Sequence, residues 1–492
     1  MLMSKKVCVI GGGFGGLSAA ALLAHKGFDV TLLEKNPGVG GRAQVWRQDG
    51  FVFDMGPSWY LMPEVFDQFF EYLGKNRADY YKLQQLDPYY RIFFSPDEII
   101  DINRDLDRTK EIFDRFEPGG GERLQRYLDG ARYKYDIAMR EFLYTEYRSM
   151  FQFFNRRILV EGTRMNIFQS LDRYVGKYFS DRRAKQILEY AMVFLGASPR
   201  NAPALYSIMS HVDLNLGVYF PIGGMAALVD GFRQLAEDMG VRILTDHEVT
   251  GLKVENGQIT AAKTAHGEVN ADIFLSNADY QHTDQKLLPP EYRSYSSRYW
   301  DKRTMAPTMF IIYLGLNRKV PELVHHNLYF SDPWDEHFEQ IFSRPQWPDN
   351  PSYYVSCASF DDDLVAPAGK ENIFFLVPLA AGLEDTDQIR EQYAEKILDH
   401  FENLIGTRIR DAIEIRRLFS HRDFQSEYNA YKGTALGIAH TLNQTAIFRP
   451  SHRSKKVKNL FYSGQYTHPG VGVPMTVISS QVIGSNIAES CR

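Results

Sequence analysis

An α/β protein is what this sequence predicts, and three observations carry that reading. Two short apolar runs, at residues 7–10 and 30–33, flank a segment with helical patterning from 17 to 25. The same strand–helix texture returns in the middle of the chain and in its last 35 residues. Between those stretches lie a mostly helical segment and a strand-rich one, which read as insertions into one discontinuous unit.

The first run meets Gly11-Gly12-Gly13-Phe14-Gly15-Gly16. Glycines 11, 13 and 16 keep the G-x-G-x-x-G spacing in the context it requires, a strand before and a helix after. Gly11 turns the chain, Gly13 admits a pyrophosphate to the backbone, and Gly16 lets helix pack on strand. The helix N-terminus then presents free N–H groups to the phosphates. Glu34 closes the second run 18 residues past Gly16, where a carboxylate can hold a ribose hydroxyl. The unit is therefore Rossmann-like, and its ligand is an ADP-containing dinucleotide.

The remaining elements follow in order. Residues from 34 to 60 read as loops. Within them, Arg42 of Gly40-Gly41-Arg42 reads as a partner for a pyrophosphate or a flavin edge. Phe53-Asp54-Met55-Gly56-Pro57 reads as a rigid loop beside a cofactor ring. Helical patterning dominates 105–215, clearest at 111–116, 122–142 and 181–195, with a break at Pro118-Gly119-Gly120-Gly121. An amphipathic helix runs from Met225 to Gly240. Strands follow at 241–244, 249–254, 260–264 and 272–276, with a turn at Asn256-Gly257. From 300 to 440 strands predominate, at 308–314, 352–358 and 372–379, interrupted by a helix over 387–404. A strand at 459–462 enters Ser463-Gly464-Gln465-Tyr466-Thr467-His468-Pro469-Gly470-Val471-Gly472-Val473-Pro474, which holds more glycine and proline than a hairpin needs. A helix from Met475 follows, and its N-terminus can face an anion or a flavin carbonyl.

Composition narrows the class. A chain of 492 residues calls for two or three subdomains. The net charge of -5 argues against a general nucleic-acid binder. Aromatic residues reach 14%, which suits a large core or a long apolar ligand tunnel. Cys8, Cys357 and Cys491 are too scattered for a disulfide framework or a metal cluster, and a reducing compartment fits. The first strand starts so early that no signal peptide is expected. No apolar run approaches the ~20 residues of a membrane-spanning helix, so membrane contact would be peripheral.

The glycine loop, Glu34-Lys35, Gly40-Gly41-Arg42 and Thr467-His468-Pro469-Gly470-Val471-Gly472-Val473-Pro474 together resemble the bacterial-type phytoene desaturases, a family that includes the diapophytoene desaturases. Supporting segments spread along the whole chain, among them Gly217-Val218-Tyr219-Phe220-Pro221-Ile222-Gly223-Gly224-Met225 and Ser276-Asn277-Ala278-Asp279. The resemblance implies FAD. Its contacts would be Gly11, Gly13, Phe14, Gly15, Gly16, Glu34, Lys35, Gly41, Arg42, Gly56 and Pro57, with the backbone of Val249 on the adenine side. Gly464, Gln465, Gly472, Val473 and Pro474 would line the ribityl chain and ring. Gln465 departs from a position that is often acidic in the wider flavin family. An amide still donates and accepts, so altered contacts are implied rather than lost cofactor. Val471 and Met475 also depart from the family pattern.

The resemblance further implies three regions. An FAD-binding domain takes residues 1–80, 217–285 and 455–492. An inserted mixed-sheet substrate domain takes 81–105 with 286–454, and a helical, membrane-associated cap takes 106–216. The implied reaction removes two hydrogens from adjacent carbons of a long apolar polyene. Those C–H bonds are scarcely acidic, so the flavin takes a hydride and the allylic cation left behind loses a proton readily. No Ser-His-Asp or paired-carboxylate signature is required. His468 is the titratable side chain the end motif places near the ring, either handling that proton or holding the loop. His325 and His326 read as surface residues or as lying one layer behind the site.

A polyene lives in a bilayer, so a membrane surface is an implied partner. Tyr147, Phe151, Phe153, Phe154, Ile158 and Leu159 interleave with Arg148, Arg156 and Arg157; Arg164, Lys177, Arg182, Arg183 and Lys185 follow. This mixture suits an interfacial helix on anionic lipid or a helical cap with a solvated basic face. A cytoplasmic location on the inner membrane face follows, with oxygen or a quinone as terminal electron acceptor. The alternatives are a carotenoid isomerase, ketolase or saturase, a flavin amine oxidase, or a non-catalytic prenyl-lipid carrier.

Overall fold

The computed structural model describes residues 4–146 and 169–491. Distant parts of the chain build one parallel sheet. Its strands lie in the order Leu460–Tyr462, Ile273–Ser276, Lys6–Ile10, Asp29–Leu33 and Arg242–Leu244, and every neighbouring pair is parallel. A parallel sheet is covered on both faces and needs near-continuous apolar strands. Alternate residues serve the two sides: Val7, Val9 and Leu275 point into one core, Cys8, Ile10 and Phe274 into another.

The first of these cores holds the helices Phe14–His25, Met225–Asp238 and Val473–Ser490. The helix Phe14–His25 is apolar nearly all round, because it packs against both other helices as well as the sheet. The second core is closed by an antiparallel meander, Gly251–Glu255, Gln258–Thr264 and Gly267–Asn270. Asn256 and Gly257, both at positive φ, make its tight turn as the sequence predicts.

A seven-stranded mixed sheet forms a second body. Its order is Ile413–Phe419, Thr308–Leu316, Glu371–Leu379, Tyr353–Ser356, His326–Tyr329, Tyr90–Ser95 and Glu98–Ile102. All pairs are antiparallel except His326–Tyr329 with Tyr90–Ser95. Phe310, Ile312 and Phe375 turn to the long helix Asp387–Ile405, whereas Met309, Ile311 and Leu376 turn the other way, into the largest core. The helices Leu106–Phe116, Gly120–Ile137 and Arg182–Glu189 join that core. Asp105 and Asp181 cap two of them with side-chain oxygens.

Several expectations need correcting. Residues 45–54 are not loop but a hairpin, Val45–Gln48 with Phe51–Asp54. Its two-residue turn, Asp49-Gly50, has both φ angles positive, and Asp-Gly is a standard sequence signal for it. A further helix, Pro63–Tyr72, uses Pro63 to start. The helix expected to reach 142 ends its regular turns at Ile137 and widens over Ala138–Phe142. The meander begins at Gly251, so Val249 precedes it.

The aromatic-basic segment from Tyr147 to Val160, and Arg164, lie outside the described residues. The basic residues that follow are engaged by the protein itself: Lys177 by Gln169, Arg182 by Asp332, Arg183 by Asp181 and Glu98, and Lys185 by Asp172. Among the described residues no helix is long and apolar enough to cross a membrane.

Gly16 sits where the first helix leaves the strand. A β-carbon there would lie 2.0 Å from the Gly11 carbonyl oxygen. Gly16→Ala is expected to cost about 1–3 kcal/mol or more, because backbone rather than a pliant side chain must yield. Thermal unfolding checks it: the melting temperature should fall, while Gly38→Ala, whose β-carbon meets nothing within 4 Å, should leave it unchanged.

Candidate cofactor and substrate cavity

The site is organised by a side chain at the carboxyl end of the parallel sheet. The N–H groups of Asn277 and Ala278 both reach the Ile10 carbonyl, at 2.8 and 3.0 Å. The Asn277 amide donates to the Ser463 carbonyl at 3.2 Å and to its hydroxyl at 3.3 Å. Three chain segments meet there at van der Waals range. A β-carbon at position 15 would come within 2.4 Å of Asn277 Nδ2, and one at 464 within 2.6 Å. The last helix adds another tie, since the Ser480 hydroxyl donates to the Gly15 carbonyl at 2.6 Å.

These segments open into one cavity of about 1000 Å³. At one end, two helix N-termini face it: Phe14–His25, entered through Gly13, and Val473–Ser490, entered through Gly472. Neither has a side-chain cap nor an acidic residue in its first turn, so both present uncompensated positive ends. Glu34 lies beside the glycine loop. Its Oε2 accepts the Gly12 N–H at 2.7 Å and its Oε1 the Asn36 N–H at 2.9 Å. Burial raises its pKa, and these backbone donors offset part of the rise. Lys35 Nζ donates to the Ser426 carbonyl at 2.6 Å and still borders the cavity.

Arg42 lies 3.5 Å from the Asp279 carboxylate and 5.9 Å from the Tyr428 ring centre. Among the described residues, its Nε and the Nη2 nearest Asp279 are buried without a hydrogen-bond partner, as is the Gln465 amide nitrogen. Donors left open on the wall of a cavity with two positive helix ends fit an anionic, hydrogen-bond-accepting ligand. FAD, with its pyrophosphate and carbonyl-bearing ring, has that chemistry.

The C-terminal loop is held from behind by Arg449, a buried cation with no carboxylate partner among the described residues. Its guanidinium donates to the carbonyls of Gln465 at 2.5 Å, Tyr466 at 3.2 Å and Thr467 at 3.2 Å, and also to Ile438 and Gln444. Burial lowers its pKa to about 10, so it stays charged at neutral pH. His440 Nε2 accepts the Val471 N–H at 3.1 Å, so its Nδ1 carries the proton and donates to Tyr206, 2.6 Å away. His468 Nε2 donates to the Phe142 carbonyl at 3.0 Å, which ties the loop to the end of the helical region. Burial lowers the His468 pKa to about 4, so the ring is neutral at pH 7.

The rest of the cavity is apolar and aromatic. Trp59, Phe194, Met209, Ile311 and Leu376 border it, supplied by both sheet bodies and the helices. His325 and His326 are buried rather than at the surface. His326 stacks on Trp59 at 4.5 Å and bonds the Tyr354 hydroxyl at 2.7 Å, one layer behind the wall. Asp213 breaks the apolar lining.

Of the residues named from sequence, Gly11, Gly13, Phe14, Gly15, Glu34, Lys35, Gly41, Arg42, Gly56, Pro57 and Val249 all line this one cavity. So do Gly464, Gln465, His468, Gly472, Val473 and Pro474. Gly16 lies behind the wall, where it permits the close approach described above. Sequence reasoning passed over Asn277, Arg449, His440 and Asp213. Only Asn277 had a signal, as part of the quoted Ser276-Asn277-Ala278-Asp279.

Comparison with known proteins follows the same line. Residues 14–481 match the flavin containing amine oxidoreductase family. The chain is 46% identical over 490 residues to the carotenoid 3,4-desaturase of Haloarcula japonica, covering 99% of each. It is 32% identical over 483 residues to the zeta-carotene-forming phytoene desaturase of Myxococcus xanthus, covering 97% of this chain and 93% of that one. It is 31% identical over 500 residues to a 4,4'-diapophytoene desaturase of Staphylococcus haemolyticus, covering 98% of each. Among solved structures, an oxidoreductase from Methanosarcina mazei superposes with a TM-score of 0.63 at 16% identity, over 98% of this chain and 100% of that one. Putrescine oxidase superposes with a TM-score of 0.62 at 15% identity, over 99% of each chain. These two show a shared fold.

Asn277→Ala removes the side chain on which three segments converge and leaves Ser463 groups unpaired. The affinity for FAD should fall about 5- to 150-fold, on the ~1–3 kcal/mol cost of unpaired buried polar groups. The ratio of flavin to protein absorbance measures it.

Proposed function

The chain belongs to the flavin-containing amine oxidoreductases and, among them, to the carotenoid desaturases; from that premise we propose that it introduces a double bond at the 3,4 position of a carotenoid. It is an FAD-dependent oxidoreductase acting on CH–CH groups. The 46% identity to the Haloarcula japonica enzyme over nearly the full length of both chains supports the 3,4 position over the reactions of the 31–32% relatives.

A single observation carries the reading: one cavity joins a polar end, with open donors and two helix N-termini, to a long apolar end. Bound FAD supplies a ring that accepts a hydride from carbon. In our assignment the glycine loop, through Gly11, Gly13, Phe14 and Gly15, receives the pyrophosphate with Arg42. Glu34 and Lys35 face the adenosine ribose, and Val249 faces the adenine. Gly41, Gly56, Pro57, Gly464, Gln465, Gly472, Val473 and Pro474 surround the ribityl chain and ring. His468 acts as a positioning residue: a neutral ring already donating to the Phe142 carbonyl is better suited to holding the loop than to taking a proton. The apolar walls orient the polyene and exclude water, which suits a reaction through an allylic cation.

The three-region division is part of the same proposal. Residues 1–80, 217–285 and 455–492 would bind FAD; 81–105 with 286–454 would bind substrate; 106–216 would form the cap. The convergence of residues 6–10, 273–276 and 460–462 in one sheet supports the first. We place the enzyme peripherally on the inner face of the cell membrane, where its apolar substrate is held, with oxygen or a quinone as electron acceptor. Phe448, exposed at 44% while bordering the cavity, supports contact with lipid near an entrance.

Two experiments test this. Expression in a host that accumulates lycopene should give a pigment absorbing at longer wavelength. An unchanged pigment from a protein that holds FAD, together with bleaching of that FAD by an amine, would contradict it. Replacing Arg148, Arg156 and Arg157 by Gln should weaken flotation with anionic liposomes, and unchanged flotation would move the membrane contact elsewhere.

A further inference from the structure

Desaturation releases a proton as well as a hydride, and the residues assigned above leave that proton without an acceptor. We propose that Asp213 accepts it: the residue borders the cavity, two tyrosine hydroxyls hold one of its carboxylate oxygens, and the other is buried in the wall. The proposal rests on the desaturase reading and adds a catalytic residue to it.

Asp213 lies in the wide turn Val212–Leu216, is 4% exposed, and borders the cavity. Its Oδ2 accepts the Tyr190 hydroxyl at 3.0 Å and the Tyr90 hydroxyl at 3.2 Å. Its Oδ1 is buried, with no hydrogen bond of good geometry among the described residues. The groups facing it come from the strand Tyr90–Ser95 and the turn Tyr190–Leu195. Tyr127, from the helix Gly120–Ile137, lies nearby and pairs with the Ser210 hydroxyl. Besides these tyrosines, the backbone N–H groups of Leu214 and of Asp213 itself act on the carboxyl and favour its ionised form. A side chain kept for packing alone would not carry a carboxylate in an apolar wall, because that burial costs free energy. Trp59, on the loop that continues from Gly56-Pro57, packs against both tyrosines, at 5.3 Å from Tyr90 and 6.1 Å from Tyr190. The carboxylate therefore sits beside the loop assigned to the flavin.

FAD held by the residues assigned above would supply the acceptor for one substrate hydrogen, taken as hydride with its two electrons. The adjacent carbon's C–H bond then breaks heterolytically: its electron pair becomes the new π bond and its proton passes to the Asp213 carboxylate. The neutral acid returns the proton to solvent after the product leaves. An ionised carboxylate also stabilises the cation before the proton moves. Burial pushes the carboxyl up to about 7, with the two tyrosine hydroxyls pulling it down. The base form therefore prevails above that pH, and the rate should rise as pH increases through it.

The test uses FAD-loaded enzyme and carotenoid in liposomes without oxygen, followed by flavin bleaching and product absorbance. Wild type should show kcat rising through an ionisation near pH 7. Asp213→Asn should retain FAD, keep KM, lose about 100-fold or more in kcat, and lose that ionisation; Asp213→Glu should restore part of the rate. An Asn variant with raised KM, normal kcat and an intact pH profile would make Asp213 a hydrogen-bond partner for substrate and overturn the proposal. If the Asn variant fails to fold or to hold FAD, the wild-type profile decides, and a pH-independent kcat overturns it. A wild-type enzyme that no carotenoid bleaches would sink the desaturase reading and this assignment together, whereas wild-type bleaching rates in the Asn variant would sink this assignment alone.

Discussion

The cavity depends on the packing of backbone against the Asn277 side chain. Strands that begin at residues 6, 273 and 460 end side by side, and each then turns into a loop that must pass the same point. Asn277 fills that point, bonding Ser463 while Gly15 and Gly464 close over it without side chains. Everything polar in the site follows from this convergence. The two uncapped helices start immediately beyond it, Glu34 ends the neighbouring strand, and Arg42 enters from the next loop. This is the carboxyl edge of a parallel sheet, where open α/β sheets place their ligands.

Charge is distributed unevenly around the cavity, and the arrangement has a physical logic. The C-terminal loop presents carbonyls to Arg449 on its far side, so a buried guanidinium is satisfied by peptide dipoles instead of a carboxylate. Trans peptide geometry sets each N–H opposite its carbonyl, so these units turn their positive ends away from Arg449. Arg42 and the two helix N-termini bring positive charge to the cavity wall, with Arg449 behind the loop and the carboxylates of Glu34 and Asp279 beside them. Much of the remaining wall is aromatic and aliphatic, with Asp213 among the polar residues that interrupt it. Hydride transfer out of a hydrocarbon needs both halves: an environment that welcomes electrons on the acceptor and a dry wall around the donor.

What was legible in the sequence was local. The glycine spacing, Glu34 and the final Gly-Pro loop each announce themselves within a few residues, and their places around one cavity follow from the sheet that joins them. The Asp49-Gly50 turn is equally local, but the strands on either side of it, Val45–Gln48 and Phe51–Asp54, are only four residues each and read as loop. His440, Arg449 and Asp213 have no such signature. Arg449 looks like a surface arginine until Gln465, Tyr466 and Thr467 fold over it. Asp213 becomes unusual only when Tyr90 and Tyr190, from distant elements, hold one of its oxygens and the other is buried. Burial and partner identity belong to tertiary structure, and neither has a fixed spacing along the chain.

The central claim is that one cavity brings FAD and a carotenoid into reacting contact. An anaerobic titration tests it most directly: FAD-loaded enzyme is mixed with carotenoid in liposomes, and flavin absorbance is followed together with that of the product. The account predicts that each equivalent of bleached flavin is matched by one new carbon–carbon double bond in the carotenoid. Flavin that stays oxidised with carotenoid but is bleached by an amine would contradict it.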